Sequence, residues 1–123
     1  MRKKEAHILI VDDDEDILFS ARVWLKKFFT EVSSLNQPKN ILNFLSEHQI
    51  DTVLLDMNFR KGFESGQDGL YWMNEIKTLE PQLPIILMTA YGEVELAVEA
   101  LKNGASDFIL KPWNNEKLYA SVN

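Results

Sequence analysis

The feature that most constrains this chain is a regular alternation between two kinds of segment. Short apolar runs of strand length recur at His7–Val11 (HILIV), Thr52–Leu55 (TVLL), Pro84–Met88 (PIILM) and Asp107–Leu110 (DFIL), with a weaker one at Glu31–Leu35. Such runs, rich in Ile, Leu and Val and too short for a buried helix, read as strands covered on both faces. Between them, apolar residues fall at helical spacing: Ile17, Ala21, Trp24, Leu25 and Phe28; Ile41, Leu42 and Leu45; Leu70, Met73, Ile76 and Leu79; Val94, Ala97, Val98 and Leu101; Leu118, Tyr119 and Val122. Each set makes one apolar stripe on a helix.

The punctuation agrees. Asp14, Glu15 and Asp16 supply a cap and first-turn acids for the first helix. Pro38 suits the first turn of the second. A polar loop, Met57–Gln67, precedes the third helix, which Pro81 closes. Gly104 suits the position just after the fourth, and Asn114 and Asn115 can cap the last. Strands alternating with helices imply an α/β architecture with a parallel sheet between two helical layers. A length of 123 residues fits one domain, residues 1–123. The last helix has only about two turns before the sequence ends, so the expectation is a piece of a longer protein.

Composition narrows the function classes. The net charge is −6 and the basic residues are scattered, which disfavours nucleic-acid binding by this domain's own surface. No apolar run reaches the roughly 18 residues that cross a membrane. The charged start, Met1-Arg2-Lys3-Lys4-Glu5, does not resemble a secretory signal. With no cysteine, disulfides and thiolate metal sites are excluded. The expected location is cytoplasmic.

In open parallel sheets, ligands bind beyond the carboxyl ends of the strands. There the chain places Asp12, Asp13 and Asp14 after the first strand, Asp56 after the third, Thr89 after the fourth, and Lys111 with Pro112 after the fifth. If the strands align, carboxylates, a hydroxyl and an ammonium meet. Crowded carboxylates repel, and burial makes their ionised forms costlier. A hard divalent cation relieves that conflict, and Mg²⁺ favours a few carboxylates plus phosphate oxygens and water. Asp56 would then be free to act as a nucleophile toward a phosphoryl group, with Lys111 as a point charge on its oxygens and Thr89 as a hydrogen-bond donor. Simpler readings stand beside these. One acid of the triplet is enough for a helix cap, Thr89 could bond its own backbone, and Lys111 could be solvated.

The pieces ILIVDDDEDI (8–17), TVLLDMN (52–58), DGL (68–70), PIILMTAYG (84–92) and LKNGASDFILKPW (101–113) resemble the receiver domain of two-component response regulators, over nearly the whole chain. The resemblance implies a flavodoxin-like fold: a five-stranded parallel sheet in the order 2-1-3-4-5 with five helices. It implies that Asp56 is the phospho-acceptor. Asp13, Asp56 and the backbone carbonyl of Asn58 would hold Mg²⁺, with Mn²⁺ as a substitute, and Asp12 would act through a metal-bound water. Lys111 would contact the phosphoryl oxygens, Thr89 would be the switch hydroxyl and Phe108 the aromatic switch residue. The Lys111–Pro112 bond is expected to be cis, and Asn58 and Tyr91 to tune the lifetime of the phosphorylated state.

The implied partners are a sensor histidine kinase or phosphotransfer protein, an output domain C-terminal to this one, and a second copy in a phosphorylation-dependent homodimer. Residues 57–69 depart from the family pattern. The loop is longer than usual, lacks the usual proline and carries Arg60 and Lys61. With LYWMNEI (70–76) it resembles receivers of NtrC-like, sigma-54-dependent transcriptional activators.

Rival readings remain. A haloacid-dehalogenase-type phosphatase also uses an Asp nucleophile after a strand, but this chain has Asn58 where a second acid is usual. A receiver-like interaction module that is never phosphorylated would not need Asp13, Asp56, Thr89 and Lys111 together. A flavin mononucleotide binder of the same strand order would need a Ser/Thr-rich loop after the first strand. Phe108 could be core alone, Trp24 and Trp72 read as packing residues, Trp113 could face a partner, and His7 and His48 lack metal-ligand spacing.

Overall fold

The computed structural model describes residues 3–57, 67–90, 94–111 and 115–122. Five strands, β1 (Lys4–Val11), β2 (Phe29–Leu35), β3 (Thr52–Asp56), β4 (Ile85–Ala90) and β5 (Asp107–Lys111), alternate with five α-helices. These are α1 (Glu15–Leu25), α2 (Ile41–Glu47), α3 (Gln67–Leu79), α4 (Val94–Lys102) and α5 (Asn115–Val122). The sheet is parallel throughout, in the order β2-β1-β3-β4-β5. This is the flavodoxin-like arrangement expected from the sequence.

Side chains alternate across a strand, and that period divides the core in two. Leu9, Val11, Val53, Leu55, Ile85 and Leu87 face α2, α3 and α4 through Ile41, Leu45, Met73, Ile76, Ala97 and Ala100. Ile8, Ile10, Leu54, Ile86, Met88 and Ile109 face α1 and α5 through Leu18, Ala21, Leu25, Leu118 and Val122. Both faces are buried because the crossover helices cover each side of the sheet. Among the described residues, no helix is long and apolar enough to cross a membrane.

Several boundaries differ from the sequence reading. β1 begins at Lys4, because its exposed first residues still pair with β2, Lys4 opposite Phe29. α1 ends at Leu25, and Phe28 lies in the turn before β2, its ring 4.3 Å from that of Tyr119. Pro38 opens a 3₁₀ turn, Pro38–Asn40, and the α-helix starts only at Ile41. Asn115 is the first residue of α5, while Asn114 lies outside the described residues. Trp24 and Trp72 are partly buried against the two cores. His7 is buried, with its Nε2 2.7 Å from the Ser33 hydroxyl and its ring edge-on to Phe44 and His48.

Candidate functional site

The register decides which residues meet. Val11 pairs with Leu55, Asp56 with Met88, Thr89 with Leu110, and Ala90 with Lys111. The carboxyl ends of β1, β3, β4 and β5 therefore end at one edge. Asp56, Thr89 and Lys111 sit within the last residues of their strands rather than after them, so the sheet's hydrogen bonds hold their backbones.

The three consecutive acids after β1 divide the work. Asp14 is the N-cap of α1; its Oδ1 accepts from the N–H groups of Asp16 at 2.9 Å and Ile17 at 3.4 Å. Asp12 is fully buried. Its Oδ1 accepts the Asp14 N–H at 2.9 Å, and its Oδ2 accepts from Lys111 Nζ at 2.7 Å. Asp13 is half-buried beside it. Lys111 Nζ also donates to Asp56 Oδ1 at 2.9 Å, so one ammonium bridges two buried carboxylates. Asp12, Asp13 and Asp56 each present a carboxylate oxygen, all within 4.8 Å of one another. Thr89 is fully buried, and among the described residues its hydroxyl has no hydrogen-bond partner.

Burial pushes the Asp12 carboxyl above its ordinary value of 3.8, and the Asp13 charge adds to the rise; Lys111 and the Asp14 N–H oppose it without prevailing. For Lys111, burial works to lower the ammonium below its ordinary 10.5. The Asp56 and Asp12 carboxylates outweigh burial, and the value rises. Among the described residues, Lys111 bridges two of the buried acids, yet burial still leaves the ionised Asp12 carboxylate costly.

Oxygens bound to one Mg²⁺ at about 2.1 Å lie roughly 3 to 4 Å apart. The oxygens of the acid cluster, all within 4.8 Å of one another, come near that spacing. Its all-oxygen donor set suits a hard cation, and a cation would ease the mutual repulsion of the three carboxylates. The residues fit a divalent metal site.

Of the residues singled out from the sequence, Asp12, Asp13, Asp56 and Lys111 come together, with Thr89 at the adjacent strand end. Phe108 is half-buried against the core formed with α2, α3 and α4. Asn58, Tyr91 and Pro112, and with them Arg60, Lys61 and Trp113, lie outside the described residues. Gly69 carried no role in the sequence reading. Its N–H donates to the Met57 carbonyl at 3.1 Å, directly beside Asp56. The DG pair after a polar loop was the only local signal of it.

The chain is similar to known proteins over most of its length. The family model described as response regulator receiver domain matches residues 8–123. The transcriptional regulatory protein ZraR of Escherichia coli K12 is 36% identical over 115 residues, which are 94% of this chain and 25% of that protein. The regulatory protein AtoC of the same strain is 36% identical over 113 residues, 90% of this chain and 23% of that protein. The chain therefore spans about a quarter of the length of these curated relatives. Among solved structures, the N-terminal signal receiver domain of a two-component response regulator from Bacteroides fragilis is 40% identical, with a TM-score of 0.87 over 97% of this chain and 94% of that one. NtrX from Brucella abortus, crystallised with ADP, is 30% identical, with a TM-score of 0.85 over 95% of this chain and 26% of that one. With the strand order, the acid cluster and the family match in agreement, this chain belongs to the response regulator receiver domain family.

Proposed function

We propose that this domain takes one phosphoryl group onto Asp56 from a partner's phosphohistidine and relays its phosphorylation state to an output domain. The observation that carries this reading is the convergence of Asp12, Asp13, Asp56 and Lys111 from three strand ends into one buried cluster. Asp13, Asp56 and the Asn58 carbonyl would hold Mg²⁺, or Mn²⁺ in its place, with Asp12 acting through a bound water. When bound, the ion supplies positive charge to the phosphoryl oxygens.

The chain's own residues do the rest. An Asp56 carboxylate oxygen attacks phosphorus in line, a C–O–P linkage forms, and the phosphorus–nitrogen bond breaks. The departing imidazole keeps the bond's electron pair and takes a proton from solvent. Lys111, already 2.9 Å from Asp56, moves its ammonium onto a phosphoryl oxygen, and the Thr89 hydroxyl donates to another. Little covalent work is asked of the protein; positioning and charge carry the rate.

Phosphorylated Asp56 then draws Thr89 and Lys111 inward. Phe108 follows, and the face made by α4, β5 and α5 changes shape. Asn58 and Tyr91 would set how long the phosphoryl group persists, and a cis Lys111–Pro112 bond would aim the lysine. Such a domain modifies itself and does not turn over an external substrate. Its partners are a sensor histidine kinase or phosphotransfer protein, a C-terminal output domain that controls transcription in an NtrC-like, sigma-54-dependent manner, and a second copy in the active state. Residues 1–123 act as one domain, and the compartment is the cytoplasm.

Intact-mass analysis after incubation with acetyl phosphate and Mg²⁺ tests the reading. One added phosphoryl group is expected, abolished in Asp56→Ala and absent in EDTA. Labelling that persists in Asp56→Ala would overturn the assignment.

A further inference from the structure

Gly69 is buried in the first turn of α3. A Cβ added there would lie 2.4 Å from the Met57 Cα, 2.6 Å from its carbonyl oxygen and 2.8 Å from its carbonyl carbon. All three contacts are to backbone, so no side-chain rotation relieves them. The same carbonyl accepts the Gly69 N–H at 3.1 Å, while the Met57 N–H donates to the Met88 carbonyl at 2.9 Å. The Met57 side chain is fully buried in the core. Met57 is therefore clamped twice: by β4 through its N–H and by α3 through its carbonyl. It is the residue that joins Asp56 to Asn58. The chain leaves Met57, runs through residues 58–68 and returns to the same atoms.

We infer that Gly69 is a positioning residue for the acceptor site: by letting α3 touch the Met57 backbone, it fixes how the chain leaves Asp56 and makes that exit independent of the length of the intervening loop. The inference rests on the reading of Asp56 as the acceptor beside a Mg²⁺ site. A side chain at position 69 drives the Met57 peptide away from α3 and carries with it the Asp56 carboxylate, now 2.9 Å from Lys111. Displacements of that size, of about an ångström, cost up to a hundredfold in rate when they misalign a reacting group. Loss of a support behind a metal ligand costs about ten- to a hundredfold in metal affinity.

The test compares the whole chain with three variants. Gly69→Ala adds the Cβ at the clamp. Gly104→Ala strains a backbone at φ +119° far from the acids, and so controls for general loss of stability. Deletion of residues 61–65 shortens the loop while leaving both clamped residues. Mg²⁺ affinity is read from tryptophan fluorescence, labelling rate from intact mass with acetyl phosphate, and folding from circular dichroism and urea midpoints.

The expectation is that Gly69→Ala, at a temperature where it remains folded, loses about tenfold or more in Mg²⁺ affinity and in labelling rate. Gly104→Ala and the deletion keep both within about twofold. A folded Gly69→Ala with wild-type Mg²⁺ affinity overturns the inference. So does a Gly104→Ala loss as large as that of Gly69→Ala. If Gly69→Ala does not fold, the deletion decides: a tenfold loss of Mg²⁺ affinity there shows that loop length, not the clamp, sets the site. A wild-type chain that binds Mg²⁺ but takes no phosphoryl group overturns the proposed function, while the Mg²⁺ comparison still judges Gly69. A wild-type chain that binds no Mg²⁺ overturns both.

Discussion

Replacing Lys111 by Met keeps much of the stem and deletes the ammonium that touches both Asp12 and Asp56. Their side chains are 1% and 3% exposed, and the Lys111 contacts are 2.7 and 2.9 Å. Removing one partner of a buried ion pair costs about 3–5 kcal/mol, because the remaining charge stays desolvated. A chain of 123 residues has a total stability on the order of 6–18 kcal/mol. Lys111→Met should therefore still fold, with a melting temperature lower by about 12–20 °C at neutral pH in EDTA.

The pH dependence tests the cause. The Lys111 value is raised above 10.5, so its stabilisation is fully present below pH 10.5 and is lost as pH rises through the folded-state value. The gap between wild type and variant should then narrow in alkali. It should narrow in acid too, as Asp12, whose value already lies above 3.8, takes up a proton and stops being a buried anion. Millimolar Mg²⁺ should also recover part of the loss. The assay is urea unfolding followed by circular dichroism across pH, with and without metal. A neutral-pH loss below about 1 kcal/mol, or a gap that stays constant with pH, would refute the claim that this ammonium offsets the acids.

Two further outcomes follow from the same site. Asp12→Asn should stabilise the metal-free protein at pH 7 and lose that advantage in acid, since the raised Asp12 value makes its ionised form a cost that appears as pH rises above 3.8; urea midpoints at pH 7 and pH 3.5 check this, and lower stability at pH 7 would mean that the Lys111 contact outweighs burial. Thr89→Val keeps the branched shape and removes a buried hydroxyl that no described residue satisfies. It should raise stability by about 1 kcal/mol while slowing acetyl phosphate labelling, and a clear drop in melting temperature would show the hydroxyl to be bonded.

The layered α/β class, the strand count and the identity of the acid, hydroxyl and lysine positions were legible in the sequence. Apolar runs such as HILIV and PIILM end sharply at Asp12 and Thr89, and burial on both faces leaves few alternatives to a parallel sheet. What the sequence left open is which residue of each run faces which helix layer, because a run that is apolar on both sides has no visible period. The two cores split at Ile8/Leu9 and Leu54/Leu55 only once register is set. Phe28 has helical spacing yet lies beyond α1, because the turn and its contact with Tyr119 on α5 outweigh local pattern. The Lys111 bridge to Asp12 spans 99 residues and that to Asp56 spans 55, and the Gly69 contact with Met57 exists only where α3 lies against the end of β3. Side-chain chemistry and local periodicity are written along the chain. Distances between remote groups, and the shifts of proton affinity those distances cause, arise only when the sheet brings the strand ends together and excludes water from them.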